Sequence, residues 1–165
     1  MKLLLTITFA FICLVSCRTY TRWTEKQKAE FADKCSKTDT ANGLNFSLTG
    51  FTYDEIENVL IRQIHKGQTV DSFYVHPTKN SFDSLRTRYA AYIDKPLYIK
   101  DTFAFIVKGY KPFILTDMKM IMWAQFTMFS EGYGCVMGDY KINGNRFEHS
   151  ANPDFVKEGF KFSWQ

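Results

Sequence analysis

Between Lys100 and Val107 the chain alternates: Phe103, Phe105 and Val107 fall on one face of an extended strand, and Lys100, Thr102, Ala104 and Ile106 on the other. A period of two cannot form the single apolar stripe of a helix, so this segment commits the C-terminal half to a sheet with one buried face. Gly109-Tyr110-Lys111-Pro112 supplies a turn, and Phe113 to Leu115 is expected to return as the second arm of a hairpin. The next run, 118–129, fits both periods. Met118, Met122, Phe126 and Phe129 suit a helix, whereas Met118, Met120, Met122, Ala124 and Phe126 alternate as a strand would. The turn-rich Ser130-Glu131-Gly132-Tyr133-Gly134 that follows favours the strand. Cys135 to Ile142 then extends to Asn143-Gly144, a tight hairpin turn. One helical turn is expected over Phe155 to Lys157, and a last strand over Phe160 to Trp164.

The N-terminal half predicts helices. Thr24 with Gln27 forms a capping box ahead of a first helix, about Glu25 to Lys37. The segment from Thr38 to Gly50 reads as a loop around Asn42-Gly43. Thr52 and Glu55 form a second capping box. Ile56, Val59, Leu60 and Ile64 follow at helical spacing, and Gly67 stands where a left-handed C-cap belongs, so a helix is expected from Tyr53 to Lys66. Val70 to Val75 reads as a short strand ended by Pro77. Ser81 caps a third helix, Phe82 to Ile93, stopped by Asp94-Lys95-Pro96. Helices first and a meander after predict an α+β domain, with N-terminal helices packed on a C-terminal antiparallel curved sheet. In outline this is similar to cystatin-like and NTF2-like folds, a likeness of architecture that implies no function.

The first residues carry an address. Lys2 precedes an apolar run from Leu3 to Val15, which is too short to span a bilayer and has the layout of a secretion signal. Its ending, Leu14-Val15-Ser16-Cys17, resembles the lipobox of bacterial lipoproteins, which implies acylation of the Cys17 thiol and cleavage before it. The chain thus divides into a signal peptide (1–16), a lipidated tether (17–24) and one α+β domain (25–165). Several acyl chains at about 0.8 kcal/mol per buried methylene make a durable anchor. Lipoprotein sorting gives the direction by resemblance. Arg18 stands where an inner-membrane retention signal has Asp, and no acid occurs before Glu25, which implies the outer membrane and a domain facing the periplasm.

Losing Lys2 with the signal lowers the formal charge of +4 by one, too little for a nucleic-acid binder. Aromatic residues make up 17 % of the chain, which excludes a disordered tail. After cleavage Cys35 and Cys135 remain beside Cys17. In an oxidising envelope they are a candidate disulfide, the other reading being two buried free thiols.

The constellations for chemistry are sparse. His65, His76 and His149 match no metal-ligand spacing, and His65 suits the last turn of the expected helix. Cys135 could act as a nucleophile with His149 or His76 as base and Asp139 or Asn143 orienting it, but no family signature surrounds it. Carboxylates such as Asp71, Asp83, Asp101, Asp117 and Glu131 show no pairing legible in sequence. Gly132, Gly134, Gly138 and Gly144 do not form a phosphate cradle, so no cofactor and no metal is implied. These residues favour a non-catalytic module over an enzyme: a lipid-anchored envelope protein, such as an immunity or accessory protein, that binds a protein, peptide or glycan. An envelope hydrolase using Cys135, His149 and Asp139 is the alternative.

Overall fold

A computed structural model describes residues 22–127 and 130–161. Its architecture is mostly β, in order α1 (Glu25–Ser36), β1 (Thr40–Ala41), β2 (Leu44–Thr49), α2 (Tyr53–Ile56), β3 (Val59–His65), β4 (Gln68–Val75), a 3-10 turn (Lys79–Ser81), β5 (Phe82–Asp83), β6 (Arg88–Ile93), β7 (Leu97–Tyr98), β8 (Thr102–Ile106), β9 (Phe113–Phe126), β10 (Glu131–Ile142), β11 (Asn145–Phe147) and β12 (Asp154–Val156). Six strands form an antiparallel sheet in the order β11-β10-β9-β8-β3-β4, and four form a second sheet, β12-β2-β6-β5, in which β12 runs parallel to β2. The short strands β1 and β7 pair separately. The expected layer of helices on one face of a sheet is therefore overturned, and with it the cystatin-like and NTF2-like outline. Two sheets bury the core between them, and α1 is the single long helix among the described residues.

The core is aromatic. Phe46 of β2 meets Phe105 of β8 edge-on at 5.1 Å, and Phe155 of β12 lies 4.3 Å from Phe105 and 5.3 Å from Phe113. All but Phe113 of these are essentially without solvent contact, so each contributes roughly 1.5–3 kcal/mol by burial. Alternation selects them: Phe103, Phe105 and Val107 point inward, as the sequence requires.

The helix expected over Tyr53–Lys66 is a single turn followed by a strand. The capping contact exists, Glu55 accepting from the Thr52 amide at 2.8 Å, but it caps α2 alone. Val59 and Ile61 are fully buried in β3, which pairs with β4 on one side and β8 on the other. Gly67 is no C-cap. With Lys66 at φ 49° and Gly67 at φ 82° it makes the left-handed two-residue turn of the β3–β4 hairpin. The helix over Phe82–Ile93 is likewise a strand, β6, whose Tyr89, Ala91 and Ile93 face the core while Ala90 and Tyr92 face out. The loop expected at 38–50 contains the central strand β2, and the turn expected over Phe155–Lys157 is β12. Phe160 and Lys161 are not in a strand, and the remainder of that expected strand lies outside the described residues.

Other readings are matched. α1 begins at Thr24, whose Oγ1 accepts from the Gln27 amide at 3.2 Å. The segment 118–126 is strand, and Asn143-Gly144 turns β10 into β11 with both residues at positive φ.

Candidate functional site

Cys17 lies outside the described residues. Cys35 and Cys135 are joined in a disulfide with Cα atoms 5.3 Å apart, linking α1 to β10 across 100 residues. Cys35 is the one buried residue of α1. A sulfur held in this bond is no nucleophile, and the partners proposed for it are occupied elsewhere. His149 sits at φ 52° and meets Asp139 through its backbone N–H, 3.1 Å from Oδ1, not through its ring. The His76 ring bonds the Glu57 carbonyl at 2.9 Å, and the Asn143 side chain accepts from the Ile114 amide at 2.8 Å, a turn contact.

A different carboxylate–imidazole pair is assembled where β3, β4 and the turn after β7 meet. In β3, Gln63 and His65 are two residues apart and share a face. Opposite them, Gln63 pairs with Asp71 and Ile64 with Thr69, so Val70 is an extra residue in β4, a bulge that leaves its side chain exposed. The pairing of β1 with β7 places Tyr98, and the turn closed by the Asp101 amide on the Tyr98 carbonyl, 3.1 Å, brings Asp101 inward. Asp101 is buried. Its Oδ2 accepts from Gln63 Nε2 at 2.5 Å and its Oδ1 meets His65 Nδ1 at 2.6 Å. Since a carboxylate oxygen accepts, Nδ1 is the donor, and in the neutral ring Nε2 is an acceptor.

Above this pair lies a cavity of about 340 Å³ whose other lining residues are Asp39, Val70, Tyr98 and Lys100. The Lys100 ammonium is held at its rim by Asp39 at 2.9 Å. Tyr98 is 60 % exposed and offers a ring face. No serine, threonine or cysteine is among the described residues lining it, and its one hydroxyl is the phenol of Tyr98. The arrangement can accept an N–H or O–H from a ligand whose apolar part rests on Tyr98 and Val70. Among the described residues no group of three or more His, Cys, Asp or Glu side chains is placed to hold a metal ion.

Two ion-pair networks fix the frame. Glu55 accepts from Lys157 Nζ at 2.7 Å, from the Tyr110 hydroxyl and from the Thr52 amide; these bonds, Lys157 first, hold its carboxyl down at about 2. Glu131, bonded to the Tyr133 hydroxyl and to Lys28, is also held below the usual carboxylate range, and Glu131 in turn holds the Lys28 ammonium above its ordinary value.

Sequence reasoning placed His65 in a helix and left Asp101 among other carboxylates. The one signal available was parity: Asp101 falls two residues before Phe103 and so on the inward face shared by Phe105 and Val107. No protein-family model matches the chain, and neither a curated protein nor a solved structure shows significant similarity to it.

Proposed function

We propose that this chain is a lipid-anchored protein of the bacterial cell envelope, held at the outer membrane and facing the periplasm, which binds a partner there without chemistry. The observation that carries the reading is the Cys35–Cys135 disulfide, which suits an oxidising compartment and agrees with a signal ending in Leu14-Val15-Ser16-Cys17. The binding surface is the cavity of Val70 and Tyr98 over the His65–Asp101 pair. A protein, peptide or glycan recognised there presents an apolar face to the Tyr98 ring and an N–H or O–H to His65 Nε2.

Two measurements test it. Mass spectrometry of the protein from membranes should find a mature N-terminus at acylated Cys17, and Cys17→Ala should move the chain to the soluble fraction. Affinity capture from detergent-solubilised membranes with the acylated protein should recover a partner that a Val70→Ser, Tyr98→Ala variant loses. Recovery of the same partner by both chains places recognition elsewhere, and an unmodified precursor in the cytoplasm overturns the whole reading.

A further inference from the structure

We propose that the groove between the β1–β2 turn and β10 is a binding site for a neutral saccharide, held by the side-chain amides of Asn42, Asn45 and Asn152 and by the ring of Tyr92. It shares no lining residue with the cavity over His65, and it does not depend on acylation of Cys17. Its volume is about 450 Å³, within the range of roughly 300–1,000 Å³ that small-molecule sites occupy.

Both sheets build it. In β2, Asn45 stands directly opposite Tyr92 of β6, so the two side chains leave the second sheet on the same outer face, while Leu44 and Phe46 turn to the core. Gly43, just before β2, gives the ring its place: a Cβ there would stand 2.8 Å from Tyr92 Cζ and 2.7 Å from the Ile93 carbonyl oxygen. Tyr92 keeps 49 % of its surface exposed. The facing wall belongs to the six-stranded sheet, with Val136 of β10 and the cross-strand pair Met120 and Met137. Residues 151–152 cross from one sheet to the other, and the crossing is pinned at both ends. The Ser150 amide donates to the Gly138 carbonyl at 2.8 Å, and the Ser47 amide to the Pro153 carbonyl at 2.9 Å.

None of the fourteen described residues lining the groove carries a charged side chain, in a chain of which 23 % is charged. The charges nearby are turned to partners: Lys37 to Asp33 at 2.6 Å, Asp39 to Lys100 at 2.9 Å and Asp154 to the Thr49 hydroxyl at 2.6 Å, while Asp94 lines a separate cavity with Lys95. The side-chain amides of Asn42, Asn45 and Asn152 make no hydrogen bond to another described residue, so all three are available to a ligand. An anionic ligand calls for a cation and a cationic one for a carboxylate, and neither lines this groove. A pyranose ring is neutral, with a face of C–H groups and a rim of hydroxyls that donate and accept at once. A carboxamide side chain likewise does both, and an aromatic ring is an apolar surface on which the C–H face can rest.

The test is a titration of the full chain, its disulfide intact and its methionine methyls labelled with carbon-13, in lauryldimethylamine oxide micelles, whose headgroup is not a sugar. The probes are maltohexaose, cellohexaose and chitohexaose, with hexagalacturonate as the anionic counterpart and acetyl-tetraalanine amide as the peptide. At least one neutral hexasaccharide should shift the Met120 and Met137 methyl signals saturably, and hexagalacturonate and the peptide should not. Asn45→Ala with Asn152→Ala, which breaks no side-chain hydrogen bond within the described fold, should lower the affinity about tenfold, as the loss of two neutral hydrogen bonds to the ligand requires. Val70→Ser with Tyr98→Ala should leave it unchanged. Silence from all three neutral hexasaccharides overturns the inference and leaves the cavity over His65 standing as a binding site. Equal affinity for hexagalacturonate or the peptide overturns it too, as does a double asparagine variant that binds as tightly as the parent. Sugar binding lost in the Val70, Tyr98 variant assigns the sugar to that other cavity and refutes this site.

Discussion

Removing both sulfurs of the disulfide, by Cys35→Ala with Cys135→Ala, should lower global stability by about 4 kcal/mol. The bond closes a loop across 100 residues, for which chain entropy gives roughly 4.7 kcal/mol as an upper figure, reduced by compactness of the unfolded chain. Cys35 is the one buried residue of α1, and twelve residues are too few for a helix to persist alone. Its other ties are a half-buried face packed on β9 and β10, the Trp23–Phe31 and Trp23–Tyr133 ring contacts, and the bonds from Glu131 to Lys28 and the Trp23 amide. The assay is urea unfolding of the oxidised protein and the double variant, read by far-ultraviolet circular dichroism. At about 2–4 °C per kcal/mol for a chain of this size, the thermal midpoint should fall by roughly 8–16 °C. Amide exchange should show α1 unprotected in the variant while β3 and β8 stay protected. A loss below about 1 kcal/mol with α1 still protected would refute the reasoning, since the remaining contacts would then suffice to dock the helix.

Phe155→Ala opens a cavity among Phe46, Phe105 and Phe113 and should cost about 3–5 kcal/mol, measured by denaturant unfolding. Gly43→Ala should cost about 1–3 kcal/mol by the same assay, because a Cβ there would stand 2.7 Å from the Ile93 carbonyl oxygen, which no rotamer change can move. Glu55 gives a pH signature: its carboxyl lies at about 2 in the fold against 4.5 ordinarily, so its stabilisation is complete above the ordinary value and is lost as pH falls through the folded one. Acid titration of Glu55→Gln should lack that component, and an unaltered acid profile contradicts the assignment. Asp101→Ala leaves the buried Gln63 amide without its acceptor and should cost about 1–3 kcal/mol, and it should also weaken partner capture through a freed His65 ring.

Where local chemistry decides the structure, it can be read directly. The alternation of Phe103, Phe105 and Val107 has one geometric solution, and Asn143-Gly144 supplies the two left-handed residues a tight hairpin requires. Thr24 and Gln27 cap α1 by contacts made within one turn. Over Tyr53–Lys66, by contrast, two periods coexist. Ile56, Val59, Leu60 and Ile64 satisfy a helix, Val59, Ile61 and Gln63 satisfy a strand, and Gly67 with positive φ serves a C-cap or a hairpin turn equally. The choice is made by partners far along the chain, since β8 pairs Phe105 with Ile61 and Phe103 with Gln63, and Val59 and Ile61 are then buried completely in the core.

The same choice conceals or reveals the site. On a helix, Gln63 and His65 stand about 200° apart and cannot reach one carboxylate. On a strand, residues two apart share a face, and a β-bulge at Val70 shapes the wall beside them. Only then do both side chains converge on Asp101, which lies 36 residues beyond His65 and reaches it through the β3–β8 pairing. The missed site and the misassigned helix are thus one error with one cause. No spacing rule within Tyr53–Lys66 reports that a strand forming much later will bury its face, and His65 and Asp101 become neighbours only because it does.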